Sequence, residues 1–237
     1  MINSLIKSLA ALAVMAGPAV GHAADCHAAL VLALDVSDSV DTQEADLQRT
    51  GLANALRDDA VRAAITPRLG LGAALMAFEW SDPRSQDVIV PWRLLQSDAD
   101  IDAFAAQLET SPPPRVPGQT GIGGAMRFAA AAFADAPPCD RRLIDISGDG
   151  PGNTGVPPRA VKESGALADI TINGLVIRNP ELDSAQPPSR DPLPYYQKEV
   201  KHGPGAFVIV IDDFDDYEDA IRRKLLRELS PNFSSLR

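Results

Sequence analysis

The sequence predicts an α/β fold. In plan it is a Rossmann-like, doubly wound, mainly parallel sheet with one antiparallel edge strand and helices on both faces. Three observations predict it. Apolar runs of strand length alternate with helical patterns from residue 28 to residue 229. The first run, Ala28–Asp35, is continuously apolar before its last residue, as a strand buried on both faces is. One pair of runs flanks the turn Ser81-Asp82-Pro83-Arg84-Ser85, too short to hold a helix, so that pair is a hairpin.

Ala28–Asp35 is the first strand. Asp41–Asp59 is helical, with Leu47, Leu52, Leu56 and Ala60 near one face, and Asp41 followed by Glu44 is a capping box. Leu69–Trp80 and Asp87–Trp92 are the hairpin strands. Pro91 cannot donate to a ladder and puts the second at a sheet edge. Asp98–Leu108 is a helix capped by Ser97, and Ser111-Pro112-Pro113-Pro114 is a rigid connector. Gly121–Ala134 is an alanine-rich helix, Arg141–Ser147 a strand, and Pro157–Ala168 a helix with prolines at its start, where they are tolerated. Ile170–Ile177 is a strand. Residues 178–194 hold five prolines and several acids and read as a surface insertion. Tyr195–Lys201 is a short helix, Ala206–Ile211 a strand, and Asp216–Leu229 a closing amphipathic helix. There is no internal repeat. Right-handed crossovers join such elements, and ligands bind at the carboxyl ends of the strands.

Residues 1–24 read as a cleaved signal peptide. Lys7 is the positive region, Leu9–Val14 the apolar core, and Gly21-His22-Ala23-Ala24 the small-residue cleavage site. No stretch is long enough to span a membrane. Residues 25–237 are then one domain of an exported protein, periplasmic or secreted. The leader removes one Lys and no acid, so the formal charge of −10 becomes −11. Such a chain is a poor nucleic-acid binder and has no basic face for anionic lipid. Cys26 and Cys139 each precede a strand. In an oxidising compartment a disulfide is expected, and parallel neighbouring strands would put both sulfurs at one end of the sheet. Two cysteines with His27 are too few for a zinc site.

Asp35-Val36-Ser37-Asp38-Ser39 follows the first strand. It sets a carboxylate and two hydroxyls on a strand-to-helix turn, a donor set suited to a hard divalent cation. The alternative is a turn whose Ser39 or Asp41 caps the next helix. Two further loops fall at the same end of the sheet: Gly118-Gln119-Thr120-Gly121-Ile122-Gly123-Gly124 and Ser147-Gly148-Asp149-Gly150. Gly121-x-Gly123-Gly124 lacks the lysine and spacing of a phosphate loop.

These three segments resemble the metal-ion-dependent adhesion site of von Willebrand factor A domains, and the element order, with its early hairpin, is similar over residues 27–230. Phe78-Glu79-Trp80-Ser81, Val90-Pro91-Trp92 and Gly203-Pro204-Gly205-Ala206-Phe207 more specifically resemble a family of uncharacterised exported bacterial proteins of that fold. The resemblance implies that Ser37, Ser39 and Thr120 contact the metal directly and that Asp35 and Asp149 act mostly through water. It further implies Mg²⁺, or another divalent cation such as Mn²⁺ or Ca²⁺, with one position left for a partner's Asp or Glu. Asp38 departs from the pattern, where a small residue is common; it reads as a solvated turn residue.

Other residues have structural readings. Asp145, inside an apolar strand, needs a partner, for which an arginine is a candidate. Phe78, Trp80 and Trp92 fit hairpin packing. Tyr195 and Tyr196 suit either a partner contact or packing of the insertion. The expected function is an exported binding protein that captures an acidic protein partner through its cation. A metal-dependent hydrolase is the competing class, but the three histidines argue against it. His22 is in the leader, and His27 and His202 fall toward the opposite end of the sheet. A structural subunit of an envelope complex is the third reading.

Overall fold

Cys26–Asp35 forms β1, buried along its whole length, and the sheet extends to either side of it. The computed structural model describes residues 25–67, 70–113, 118–178 and 191–230. The leader and residues 179–190 of the insertion lie outside the described residues, as do Leu69 and Pro114, the last residue of the expected connector.

Six strands stand in the order β3-β2-β1-β4-β5-β6. β2 is Gly72–Trp80, β3 Gln86–Leu95, β4 Arg142–Gly148, β5 Ile170–Ile177 and β6 Val208–Ile211. β1 runs parallel to both β2 and β4, and β5 continues the parallel sheet to β6. β3 is the antiparallel edge. Its ladder slips between Leu75↔Arg93 and Ala77↔Val90, giving β3 an extra residue beside Pro91. A proline without an N–H fits a bulge at an edge.

Side chains alternate across β1. Leu30, Leu32 and Leu34 face one layer, made by α1 (Thr42–Arg57), α2 (Asp59–Ile65), α3 (Asp98–Glu109) and α7 (Tyr217–Leu229). Ala29, Val31 and Ala33 face the other, which holds α4 (Ile122–Ala132), α5 (Pro158–Glu163) and the segment after α6 (Pro192–Tyr195). Full burial of each of those leucines contributes about 1.5–3 kcal/mol.

Several boundaries differ from the sequence expectation, for local reasons. The helix expected over Asp41–Asp59 ends at Arg57. Asp58 adopts an extended backbone and caps a second helix, accepting from the N–H groups of Ala60 and Val61. Its short carboxylate competes with the helix ladder, and Ala60 turns outward. The Asp41–Glu44 capping box is present in both directions, and Ser97 caps α3. The expected Pro157–Ala168 helix stops at Glu163 because Gly165, at φ 78°, turns the chain. The short helix expected at Tyr195–Lys201 begins at Pro192 and passes into a π-turn over Tyr196–Val200, closed by the Lys201 N–H on the Tyr196 carbonyl at 2.8 Å.

Cys26 and Cys139 form a disulfide, with Cα atoms 4.6 Å apart and their residues bridged in parallel. Phe78 and Trp80 are fully buried, and the Trp92 indole N–H donates to the Ala132 carbonyl at 2.8 Å. Asp145 pairs with a lysine rather than an arginine: Lys224 Nζ lies 2.7 Å from its Oδ2 and 2.6 Å from Glu228 Oε1, all three side chains being buried. His27 sits at the start of β1 against the Ile65 carbonyl, and His202 pairs through its backbone with Ile172. Among the described residues no helix is long and apolar enough to cross a membrane.

Candidate metal centre

The strand order reverses between β1 and β4, and the carboxyl ends of these two parallel neighbours open the crevice where such sheets bind ligands. Asp35 ends β1 and Asp149 follows β4. The Val36 N–H on the Trp80 carbonyl at 2.9 Å, and the Gln48 amide on the Asp35 carbonyl at 2.9 Å, hold the end of β1 in place. The turn then folds back. Asp35 Oδ1 accepts the Ser37 N–H at 2.8 Å, and the Val40 N–H donates to the Ser37 carbonyl at 2.8 Å.

The second loop is fastened to the first and to the hairpin. The Asp38 N–H donates to the Gly118 carbonyl, and the Gly121 N–H to the Ser81 carbonyl, each at 2.8 Å. α4 starts without a side-chain cap because its first turn is pressed against neighbouring backbone. A Cβ on Gly123 would stand 1.8 Å from the Val156 carbonyl oxygen. The third loop clasps the second: the Thr120 N–H donates to Asn153 Oδ1, and the Asn153 N–H to the Thr120 carbonyl, each at 2.9 Å.

The five residues singled out in the sequence therefore meet. Ser39 Oγ donates to Asp149 Oδ1 at 2.8 Å, Ser37 Oγ lies 3.4 Å from Ser39 Oγ, and Thr120 Oγ1 lies 3.5 Å from Ser37 Oγ. Asp35, Ser37, Thr120 and Asp149 are buried, Ser39 is half-buried, and Asp38 is exposed. Two carboxylates and three hydroxyls make the set. Among the described residues no three His, Cys, Asp or Glu side chains converge on a metal position; a cation held here would draw on the hydroxyls as well as the two carboxylates.

Electrostatics make this an unquiet place for two acids. Burial, and then the Asp149 charge, push Asp35 well above the ordinary carboxylate range; burial also raises Asp149. Asp35 Oδ2 and Asp149 Oδ2 are buried without a hydrogen-bond partner among the described residues. Hard oxygen donors, two negative charges and two orphaned carboxylate oxygens are a set that a small dication fits.

Sequence reading missed three contributors. Gln48 lies four residues before Leu52 on the apolar face of α1, and a polar residue there was the available signal. Asn153 had no signal. Tyr196 was assigned no role in the site, yet it is fully buried and burial beside Asp35 and Asp149 raises its phenol well above the usual range. Beside Thr120 a cleft of about 390 Å³ opens between Ile122, Asn153, Val156 and Tyr195.

Sheet order, helices on both faces and the three-loop crevice define a domain of the von Willebrand factor A fold. The chain belongs to the family described as "Protein of unknown function (DUF1194)", whose model matches residues 25–233. Among solved structures, the von Willebrand factor type A protein from Catenulispora acidiphila superposes with a TM-score of 0.60 at 16% identity, covering 86% of this chain and 43% of that one. Proximal thread matrix protein 1 from the mussel byssus, with a zinc-occupied MIDAS motif, gives 0.58 at 14% identity, covering 87% and 48%. The pilus adhesin SpaC from Lactobacillus rhamnosus GG gives 0.59 at 16%, covering 86% and 30%. The chain thus matches less than half the length of each. No curated protein sequence matches it.

Proposed function

We propose that this is an exported binding protein in which Asp35, Ser37, Ser39, Thr120 and Asp149 hold a divalent cation, Mg²⁺ foremost, and present it to an Asp or Glu side chain of a protein partner. The observation that carries this reading is the convergence of three loops on two buried carboxylates that each keep an orphaned oxygen. Bound there, a cation supplies an electropositive position for an outside carboxylate. Mg²⁺ gives up its waters reluctantly, which suits carboxylates that act one shell out.

The residues divide the work. Ser37, Ser39 and Thr120 offer neutral oxygens, so two carboxylates balance the 2+ charge without saturating it. Asp35 is fixed through Ser37 and Asp149 through Ser39. Exposed Asp38, with Asp35 and Asp149, repels an acidic partner when the cation is absent. The cleft between Asn153 and Tyr195 gives that partner's chain a seat beside the site. The zinc-occupied MIDAS of the byssus protein and the adhesin role in SpaC's name support the reading by fold. The disulfide supports export. His27 and His202 stand away from the crevice, which favours binding over hydrolysis.

The test is a pull-down from the native envelope fraction with Mg²⁺ and then with chelator. A partner retained by the wild type in Mg²⁺, and lost with chelator and in Asp35→Ala, is expected. Capture that ignores both changes refutes the bridge.

A further inference from the structure

Tyr196 reaches the site from an element that contributes none of the five donors. It follows α6, enters the core on the α4–α5 side of the sheet, and its ring crosses β5 over Gly174, where a Cβ would stand 2.8 Å from Tyr196 Cδ1. Its hydroxyl then meets β4 at Gly148. A Cβ on Gly148 would stand 2.4 Å from Tyr196 Oη and 2.7 Å from Asp35 Oδ2, so those two oxygens are no farther apart than the two distances together, about 5 Å. Both atoms are buried and neither has a hydrogen-bond partner among the described residues. A phenol and a carboxylate oxygen left in this state are a donor and an acceptor that do not bond directly and stand no more than about 5 Å apart, a range that a single water bridges. Glycine at both Gly174 and Gly148 clears the ring's path across two neighbouring strands.

We infer that Tyr196 is a positioning residue of the cation site, its hydroxyl donating through one shared water to Asp35 Oδ2. Ser37 holds one oxygen of Asp35 through its N–H, and Tyr196 holds the other. The carboxylate is then fixed from both sides, and the carboxylate that steadies a bound cation's shell cannot swing toward the core. The π-turn Tyr196–Val200 becomes a fourth element of the site. This inference rests on the proposed cation site, so the experiment has one arm that needs metal and one that does not.

In the first arm Mn²⁺ is titrated calorimetrically into the purified full chain, wild type, Tyr196→Phe and Gly148→Ala. Losing such a supporting partner weakens metal binding by about 10-fold, and that loss is expected for Tyr196→Phe. Gly148→Ala, whose methyl group would occupy the gap, is expected to weaken it at least as much. A tyrosine that only packs would lower the melting temperature and leave the dissociation constant unchanged, and that result overturns the inference. In the second arm the metal-free chain is unfolded in urea as wild type, Tyr196→Phe, Asp35→Ala and the double variant. Of the Tyr196–Asp35 pair, each single change leaves one member unsatisfied and the double leaves neither, while the loss at the Ser37 N–H is common to Asp35→Ala and the double, so the double is expected to lose less than the two singles together. Strict additivity overturns the inference. Wild-type protein that takes up no Mn²⁺ would overturn the cation site itself, and the second arm would then decide the Tyr196–Asp35 contact alone.

Discussion

Ser39, on the turn after β1, donates a 2.8 Å hydrogen bond to Asp149, on the loop after β4, 110 residues away. The bond joins Asp149 to the oxygens of Ser37, Ser39 and Thr120 but satisfies only one side of it; burial raises both acids, and at Asp35 the Asp149 charge raises the cost of ionisation further. Two buried acids of like charge make the metal-free site a point of stored repulsion. Asp35→Asn removes one of the charges while keeping an oxygen for the Ser37 N–H. The metal-free variant is therefore expected to melt at or above the wild type. On the proposed cation reading, Mg²⁺ at a hundredfold excess over its dissociation constant is expected to stabilise the wild type by about 2.7 kcal/mol, a rise of roughly 5–10 °C for a chain of this size. Asp35→Asn is expected to lose that rise. Differential scanning calorimetry with and without Mg²⁺ checks both, and a variant that still gains several degrees contradicts the assignment of Asp35.

The α1 layer is pinned beside the site by a buried ion pair. Arg49 Nε donates to Glu79 Oε1 at 2.6 Å, and both side chains are almost fully buried. Burial raises Glu79, and the guanidinium opposes that shift. Arg49→Met strands the carboxylate, at a cost of about 3–5 kcal/mol. Adding Glu79→Leu restores much of the loss, because the stranded charge goes with it. Urea unfolding of the three variants measures this, and a double variant no more stable than Arg49→Met contradicts it.

The disulfide closes a long loop, Cys26 and Cys139 being 113 positions apart in the sequence. In the chain-entropy model a loop near that size contributes about 4.7 kcal/mol by restricting the unfolded chain. The Cys26→Ser/Cys139→Ser chain is expected to unfold at a clearly lower urea concentration, with a loss of about 2–5 kcal/mol. The proposed cation site lies at the other end of β1, so the Mg²⁺ affinity proposed for it is expected to hold. An unchanged midpoint refutes the contribution, and a lost affinity refutes the independence of the two ends.

What was legible in the sequence followed from local chemistry. A continuous apolar run marked β1, the Ser-Asp-Pro turn and Pro91 marked the hairpin and its edge, and Asp35, Thr120 and Asp149 each stood where a strand or helix boundary sets a loop at the same end of the sheet. What was illegible depended on tertiary neighbours. The break at Asp58 is a contest between two hydrogen-bonding arrangements of similar energy, and a helical pattern runs through it unbroken. Lys224 sits on the inner face of an amphipathic helix, and only the folded sheet shows Asp145 opposite it. Tyr196 reaches Asp35 because two glycines on other strands clear its path, a relation between positions that no local pattern contains.

The Lys224 cluster gives the stability a pH dependence of definite sign. Asp145 and Glu228 share one ammonium in a buried setting. Burial raises Asp145, and burial outweighs Lys224 at Glu228, which is pushed up to about 7. In the unfolded chain a glutamate titrates near 4.3. Between these values the folded protein binds more protons than the unfolded chain, so stability falls as pH rises from about 4.5 to about 7, and the full penalty is present above that. A shift of this size corresponds to a few kcal/mol. Glu228→Gln keeps an oxygen to accept from Lys224 and from the Asn173 amide, which donates to Glu228 Oε1 at 2.8 Å. It removes the titrating proton. The difference in unfolding free energy between this variant and the wild type is expected to move in the variant's favour as pH is raised from 5 to 8. Parallel stability curves over that range would show that Glu228 titrates alike in both states and would sink the prediction.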